Sequence, residues 1–116
     1  MKTVIRYSAL AFALHFSPSV SAGAGDDCHF HGNQAAQPAT VLKCADQRKK
    51  KLIARGKLDA SWAAIQHESI SMVDGQKGKE WKIVYKHATI ADTSKTHLYL
   101  FFSEPGNFIA ANHSGK

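Results

Sequence analysis

The stretch "HLYLFFSEPGNFIAAN", residues 97–112, decides the fold, because it contains two predicted strands and the turn between them. Leu98, Leu100 and Phe102 alternate with the remaining side chains of "HLYLFFS", which is the period of two expected for a strand with one buried face. "EPGN" predicts a tight turn, with Pro105 and Gly106 at the central positions of a type II turn. "FIAAN" then returns as the next strand, so the stretch predicts an antiparallel hairpin.

Two further strands are predicted upstream of this hairpin. "EWKIVYKH", residues 80–87, places Trp81, Ile83 and Tyr85 on one face. "AIQHESISMV", residues 64–73, alternates less regularly, and the Gly-rich turn "DGQKGK" joins it to the following strand. Neighbours in sequence usually pair in space, so the four strands predict an antiparallel meander.

One main helix is predicted before the strands, in "TVLKCADQRKKKLIAR", residues 40–55. We expect Thr40 to be its N-cap and Gly56 to be its left-handed C-cap. Asp59 is expected to cap a short turn that carries Trp62 to the core. The apolar stripe of the helix is predicted at Val41, Leu42, Ala45, Leu52 and Ile53.

These elements predict an α+β domain, residues 39–116, in which the helix packs on one face of the four-stranded antiparallel sheet. Leu52 and Ile53 of the helix should pack above the buried side chains of the sheet and its preceding turn. Those predicted buried side chains are Trp62, Trp81, Leu98, Leu100, Phe102 and Ile109.

The N-terminus has the pattern of a signal peptide, residues 1–22. Lys2 and Arg6 precede a short apolar run, and small residues around Ala22 fit a cleavage site. The run is shorter than the roughly 20 apolar residues of a membrane span, so no stable membrane anchor is expected. We therefore predict a periplasmic or secreted protein whose mature chain carries a net charge of about +4.

Residues 23–38 predict a flexible arm without periodicity, and the arm contains the motif "CHFHG". Two cysteines in an exported protein suggest a Cys28–Cys44 disulfide, which would fasten the arm to the helix. A buried unpaired Cys44 and a thiolate metal ligand at Cys28 are the alternatives. The last excludes the disulfide, because an oxidised sulfur is not a thiolate.

Six histidines follow the leader, which is a high number for about 94 residues, and this suggests metal binding. His29 and His31 point the same way if the arm is extended, and they offer imidazole ligands suited to copper or zinc. His87 and His97 flank the loop between two predicted strands and are expected as a second pair across it. The alternative is that all of them are ordinary surface imidazoles.

Two segments carry a resemblance to known proteins: "GKLDASW", residues 56–62, and "LYLFFSEPGNFIAANHSG", residues 98–115. The order of a helix, a glycine and strands ending in an aromatic strand resembles the PepSY-like fold. The two segments are similar to those of small exported bacterial proteins of unknown function with a His-containing N-terminal arm. The resemblance implies a fold and a compartment, and it implies no catalytic residue.

Other functions are disfavoured by the residues themselves. No G-x-S-x-G elbow, paired acids or phosphate loop are present, so we expect no enzyme. The basic run at residues 48–51 lacks interleaved aromatic residues, so nucleic acid is not expected. The run is interpreted as a solvated helix face, and the alternative is docking to an anionic partner or a membrane surface. The sequence therefore predicts a weak copper- or zinc-binding protein or, alternatively, a PepSY-like module that docks a periplasmic protein.

Overall fold

The computed structural model of the protein describes residues 28–116. The predicted signal peptide, residues 1–22, and residues 23–27 of the predicted arm lie outside the described residues. In chain order, the helices and strands are α1 (Pro38–Ala54), a 3₁₀ helix (Ala60–Ala64), β1 (His67–Gly75), β2 (Gly78–Lys86), a 3₁₀ turn (Thr93–Lys95), β3 (His97–Ser103) and β4 (Phe108–Asn112).

Helix α1 begins earlier than the sequence predicted. Gln37 is the N-cap in an extended conformation, and Pro38 lies in the first turn. Proline suits that turn because its missing N–H would have no partner there, and it also holds the preceding residue extended. Thr40 lies inside the helix, so its prediction as the N-cap is wrong. Gly56 follows the helix with a φ of 72°, which confirms the predicted left-handed end.

The segment after the helix brings an aromatic side chain to the core. The carboxylate of Asp59 accepts a hydrogen bond from the backbone N–H of Ser61 and caps the 3₁₀ helix, as predicted. Trp62 in this helix is 1% exposed. A short polar cap therefore fixes the position of one of the largest side chains of the core.

The four strands form one antiparallel sheet in the order β1-β2-β3-β4, which confirms the predicted meander. Gly75 pairs with Gly78 at the β1–β2 hairpin. In the centre of the sheet, Leu100 lies opposite Ile83 of β2 and Ala111 of β4. Each pair of neighbouring strands is thus adjacent in sequence.

Helix α1 covers one face of the sheet, and the core lies between these two layers. Burial is confirmed for Trp62, Leu98, Leu100 and Phe102, and the helix residues predicted above them are partly buried. The buried residues of the core are Val41, Cys44, Ala45, Leu58, Trp62, Ile83, Tyr85, Leu98, Leu100 and Phe102. The predicted two-layer α+β domain is therefore confirmed.

Ile109 differs from the prediction, since it is 47% exposed. The pairing of β3 with β4 shifts register, so that Phe108 lies opposite Phe102 and Ala110 lies opposite Phe101. Ile109 is the extra residue at this irregularity and has no partner, as expected for a bulge. Phe108 packs against the core instead.

Trp81 is only partly buried, whereas the sequence predicted that it would be largely buried. Its indole N–H donates a hydrogen bond to the carbonyl of Glu104, at 3.0 Å. The polar edge of the ring is thus held at the β3–β4 loop, at the border of the core.

The β3–β4 turn also differs from the prediction. The N–H of Gly106 donates to the carbonyl of Ser103, and the N–H of Ser103 donates to the carbonyl of Asn107. The central residues of the turn are therefore Glu104 and Pro105, and Gly106 follows them with a φ of 109°. This is the arrangement of a three-residue hairpin loop, so the predicted type II placement is wrong.

Within residues 28–116, the only helix longer than one or two turns is α1, and no helix there is long and apolar enough to cross a membrane.

Candidate functional site

A disulfide joins Cys28 of the arm to Cys44 in the second turn of α1, with 5.7 Å between the two Cα atoms. This confirms the pairing expected for an exported chain and excludes a buried free thiol at Cys44. Because the sulfur of Cys28 is oxidised, it is not a thiolate ligand in this state. The ligands that "CHFHG" can offer a metal are then its two imidazoles.

The described part of the arm, residues 28–37, has no helix or strand, as predicted, but it is attached to the domain beyond the disulfide. The side-chain oxygen of Asn107 accepts from the backbone N–H of Phe30 at 2.7 Å, and its amide nitrogen donates to the carbonyl of Phe30 at 2.8 Å. The N–H of Ala36 donates to the carbonyl of Glu104 at 2.9 Å. For residues 28–37, these attachments differ from the flexible arm that the sequence predicted over residues 23–38.

The Phe30 side chain completes this attachment. It packs against the hydrophobic core. A Cβ at Gly106 would come within 3.0 Å of its ring, so the absence of a side chain at the β3–β4 loop makes room for it. The β3–β4 loop, at Gly106 and Asn107, therefore contacts a segment that lies more than 70 residues earlier in the chain.

His29 and His31 flank Phe30, and the structure brings them together. Their ring centroids are 4.7 Å apart, with the planes nearly perpendicular. Both side chains are exposed, whereas Phe30 between them is partly buried. The two imidazoles thus lie close to each other at the surface.

A cavity of about 580 Å³ lies beside the disulfide, between the arm, α1 and β4. We call it the arm–helix cleft and define it by its lining residues, Cys28, His29, Cys44, Gln47, Arg48, Lys51, Phe102 and Phe108. The Gln47 side-chain oxygen lies 3.4 Å from Sγ of Cys28. We regard this as a contact, because a disulfide sulfur has no proton to donate.

Arg48 is a cation of the cleft that is held by an aromatic ring. Its guanidinium carbon lies 4.1 Å from the centroid of the Phe108 ring, within the range of a cation–π contact. Partial burial, and secondarily the like charge of Arg55, lowers the pKa of Arg48 from its usual value. An arginine stays protonated nonetheless, so the cleft carries a permanent positive charge.

Lys49, the neighbour of Arg48, corrects the interpretation of residues 48–51 as a solvated face. Lys49 is 4% exposed, its ammonium donates to the carbonyl of Ile65, and it lies 4.7 Å from the centroid of the Tyr85 ring. Burial lowers the pKa of Lys49, and the nearby carboxylate of Asp46 opposes this shift. The sequence carried a signal for this burial, because position 49 continues the stripe formed by positions 41 and 45 at intervals of four.

Tyr85 belongs to the same polar group within the core. Its hydroxyl donates to a carboxylate oxygen of Asp46 at 2.9 Å. Burial of the ring, together with the negative charge of Asp46, raises the pKa of Tyr85 far above its usual value. The helix and sheet are thus joined by a lysine, a tyrosine and an aspartate in addition to their apolar contacts.

The structure gives His87 and His97 separate surroundings. The His87 ring is buried, lies edge-on to Trp62 with 5.1 Å between centroids, and has Nε2 at 2.9 Å from Oγ of Ser61. The His97 ring instead stacks on Tyr99 at 5.9 Å. Among residues 28–116, no group of three or more His, Cys, Asp or Glu side chains is placed to hold a metal ion.

The contact between Ser61 and His87 resembles the pair of a serine hydrolase, but its proton direction is reversed. Ser61 Oγ lies 2.5 Å from a carboxylate oxygen of Asp59, to which it donates its one proton. His87 must then donate its Nε2 proton to Ser61, and Nδ1 is left to accept from Thr89. A histidine that activates serine accepts the hydroxyl proton instead, so this arrangement does not prepare Ser61 as a nucleophile.

Comparison with known proteins adds a family to this description. No curated protein and no solved structure matches the chain. A protein-family model with the description "Family of unknown function (DUF6488)" matches residues 1–116, which is the whole chain. The protein therefore belongs to this family of unknown function, DUF6488.

Proposed function

We propose that this protein is an exported, non-enzymatic protein that binds copper or zinc weakly through His29 and His31. The observation that carries the proposal is the contact between the two exposed imidazoles, whose centroids are 4.7 Å apart. The disulfide at Cys28 and the hydrogen bonds of Asn107 to Phe30 hold this segment against the domain. The ligands are thus partly ordered before a metal arrives, which reduces the entropy lost on binding.

Two imidazoles suit borderline metals such as copper(II) and zinc(II). They are fewer than the four ligands of a structural zinc site, so water or a small anion would complete the coordination and the affinity would be modest. Only neutral imidazole binds a metal, so binding should weaken as the solution becomes more acidic. A buffering or handling role fits these properties better than a permanent structural metal.

Export to the periplasm or the extracellular space belongs to the same proposal. The leader pattern of residues 1–22 supports it, and so does the disulfide, because such bonds persist mainly in oxidising compartments. The test is direct: mass spectrometry of the protein isolated from its native compartment should show a chain that begins near Gly23. A chain that retains Met1 would contradict cleavage.

Metal binding is tested by titrating the oxidised mature protein with Cu(II), Zn(II) and Ni(II) while following the histidine NMR signals. We expect the signals of His29 and His31 to shift or broaden first. The double variant H29A/H31A should lose this response, and H67A is the matched control, because His67 is exposed on β1, outside the arm. Equal binding by H29A/H31A and H67A would show that the arm is not the site.

His87 and His97 remain a predicted second pair that the same titration tests. The His87 ring is buried, and a metal would have to displace Ser61 from its Nε2 or Thr89 from its Nδ1, so we expect its signals to respond only at higher metal concentration. The variant H97A should then change only that late response. If H97A abolishes the first response, the assignment to the arm is wrong.

The second candidate function is a PepSY-like module that docks a periplasmic protein. It is favoured by a depression of about 940 Å³ on the sheet, whose lining includes Phe101, Ile109 and charged side chains such as Lys82. Ile109 is exposed in this depression although it is apolar. Wild-type protein with no metal response in the titration would favour this candidate over the first.

A further inference from the structure

Arg48 gives the arm–helix cleft a permanent positive charge. It lines the cleft from α1, and His29 lines it from the arm. A guanidinium in a concave surface attracts anions, because the low-dielectric walls strengthen the local field.

Arg48 is oriented for recognition by its contact with Phe108. In the part of the chain that the structure describes, no carboxylate lies within ion-pair distance of its guanidinium. The ring contact uses the flat face of the guanidinium, whereas its N–H donors lie in the guanidinium plane. The fork of donors that matches a carboxylate or a phosphate is therefore not consumed by the contact that holds Arg48 in place.

Apolar groups also line the cleft. The Phe108 ring and Cys28 of the disulfide are partly buried there, whereas Phe102 and Cys44, which also line it, are buried. A cavity of about 580 Å³ is of the size that holds small molecules. The chemistry of the lining thus combines one fixed cationic fork with a surface for an apolar group.

We propose that the arm–helix cleft binds a small organic anion, with Arg48 receiving its carboxylate or phosphate and Phe108 contacting its apolar part. This site goes beyond metal binding by His29 and His31, since it needs no metal. It also depends on the disulfide, because Cys28 and His29 line the cleft only while the arm is joined to α1.

The first experiment uses benzoate, phenyl phosphate and neutral benzamide as probes of similar apolar size. The oxidised protein is freed of metal on a chelating resin, because dissolved chelators are polyanions that would compete for the cleft. We expect saturable NMR shifts of the backbone amides of Gln47, Arg48 and Phe108 with at least one anion. The affinity for benzamide should be lower by about tenfold or more, since a charge-assisted hydrogen bond contributes roughly 1.5–3 kcal/mol.

The comparison of the two anions identifies the ligand class: tighter benzoate binding assigns a carboxylate, and tighter phenyl phosphate binding assigns a phosphate. Equal shifts with benzamide and the two anions would overturn the proposal. So would the absence of saturable shifts for both anions.

Variants locate the site. Arg48→Gln should weaken anion binding by about tenfold or more, and Arg48→Lys should weaken it less, because lysine keeps the charge but lacks the fork. Lys57→Gln is the matched control, since Lys57 is exposed and does not line the cleft. Thermal unfolding checks that each variant is folded. If Arg48→Gln is not folded, the affinity of Arg48→Lys is compared with that of the wild type instead. Affinity unchanged in both Arg48 variants, or lost equally in Lys57→Gln, would refute the site.

Discussion

Replacing Asn107 by alanine should destabilise the protein and release the arm. The side chain makes two hydrogen bonds to the backbone of Phe30, at 2.7 and 2.8 Å, in a partly buried position. Each such bond contributes about 0.5–1.5 kcal/mol, so the variant should lose roughly 1–3 kcal/mol of unfolding free energy. The bond from Asn107 N–H to Oγ of Ser103 uses the backbone and is kept.

The measurement is urea unfolding of the oxidised protein, followed by the fluorescence of Trp62 and Trp81. Asn33→Ala is the matched control, because Asn33 is an exposed asparagine of the same arm. Limited proteolysis should cut the arm of Asn107→Ala faster than that of the control. An unfolding free energy of Asn107→Ala within about 0.5 kcal/mol of the control would refute the reasoning, since that is the ordinary scatter of surface substitutions.

Three further predictions concern the disulfide, the core and the buried polar group. The double variant C28A/C44A should lose about 3 kcal/mol of unfolding free energy, because the unfolded chain is no longer closed into a loop of about 15 residues. Its urea midpoint should therefore be lower, and an unchanged midpoint would contradict this. Leu100 is 0% exposed, so Leu100→Ala should lower the unfolding free energy by about 2–5 kcal/mol in the same assay. A decrease below about 1 kcal/mol would contradict the packing of Leu100 in the core. The lowered pKa of Lys49 means that the unfolded chain binds its proton more tightly, so stability should rise with pH from the folded pKa towards the usual value of 10.5. The raised pKa of Tyr85 makes stability fall above pH 10. The free energy of unfolding, measured as a function of pH, should no longer rise in Lys49→Met and should no longer fall above pH 10 in Tyr85→Phe. Profiles that are unchanged in these variants would contradict the assignments.

The sheet could be predicted because its signals are local. The alternation in β3 places Leu98, Leu100 and Phe102 on one face, and the structure buries all three. The exposure of Ile109 could not be predicted in this way, because it depends on a register shift between two strands. Alternation in one strand says which side chains share a face, but it does not say where an extra residue enters the pairing.

The first turn of α1 shows a competition between two local signals. Thr40 is a favourable N-cap residue, but Pro38 starts a helix equally well and comes earlier in the chain. The helix begins at the proline, and the side chain of Gln37 makes no capping bond. Packing of Val41 in the core, with 0% exposure, extends the helix through the position that the N-cap prediction assigned to its boundary.

The candidate site was only partly predictable, because its parts come from distant segments. The cysteine and two histidines of "CHFHG" indicate a candidate site by their residue types alone. The disulfide could be predicted from the two cysteines and the predicted export. The hydrogen bonds from Asn107 to Phe30 span 77 residues and have no local signature. The same holds for the contact of Arg48 with Phe108, which only the packing of β4 beside α1 produces.

Two features that the sequence presents separately become one surface in the fold. "CHFHG" suggests a metal motif, and residues 48–51 suggest a solvated basic face. The disulfide joins Cys28 to a helix position one turn before Arg48, so His29 and Arg48 line the same cleft. Oxidation of Cys28 removes the thiolate that the motif could offer a metal, and the resulting disulfide lines the arm–helix cleft. The disulfide therefore determines which groups this end of the molecule presents: two imidazoles at the surface, and a guanidinium within the cleft.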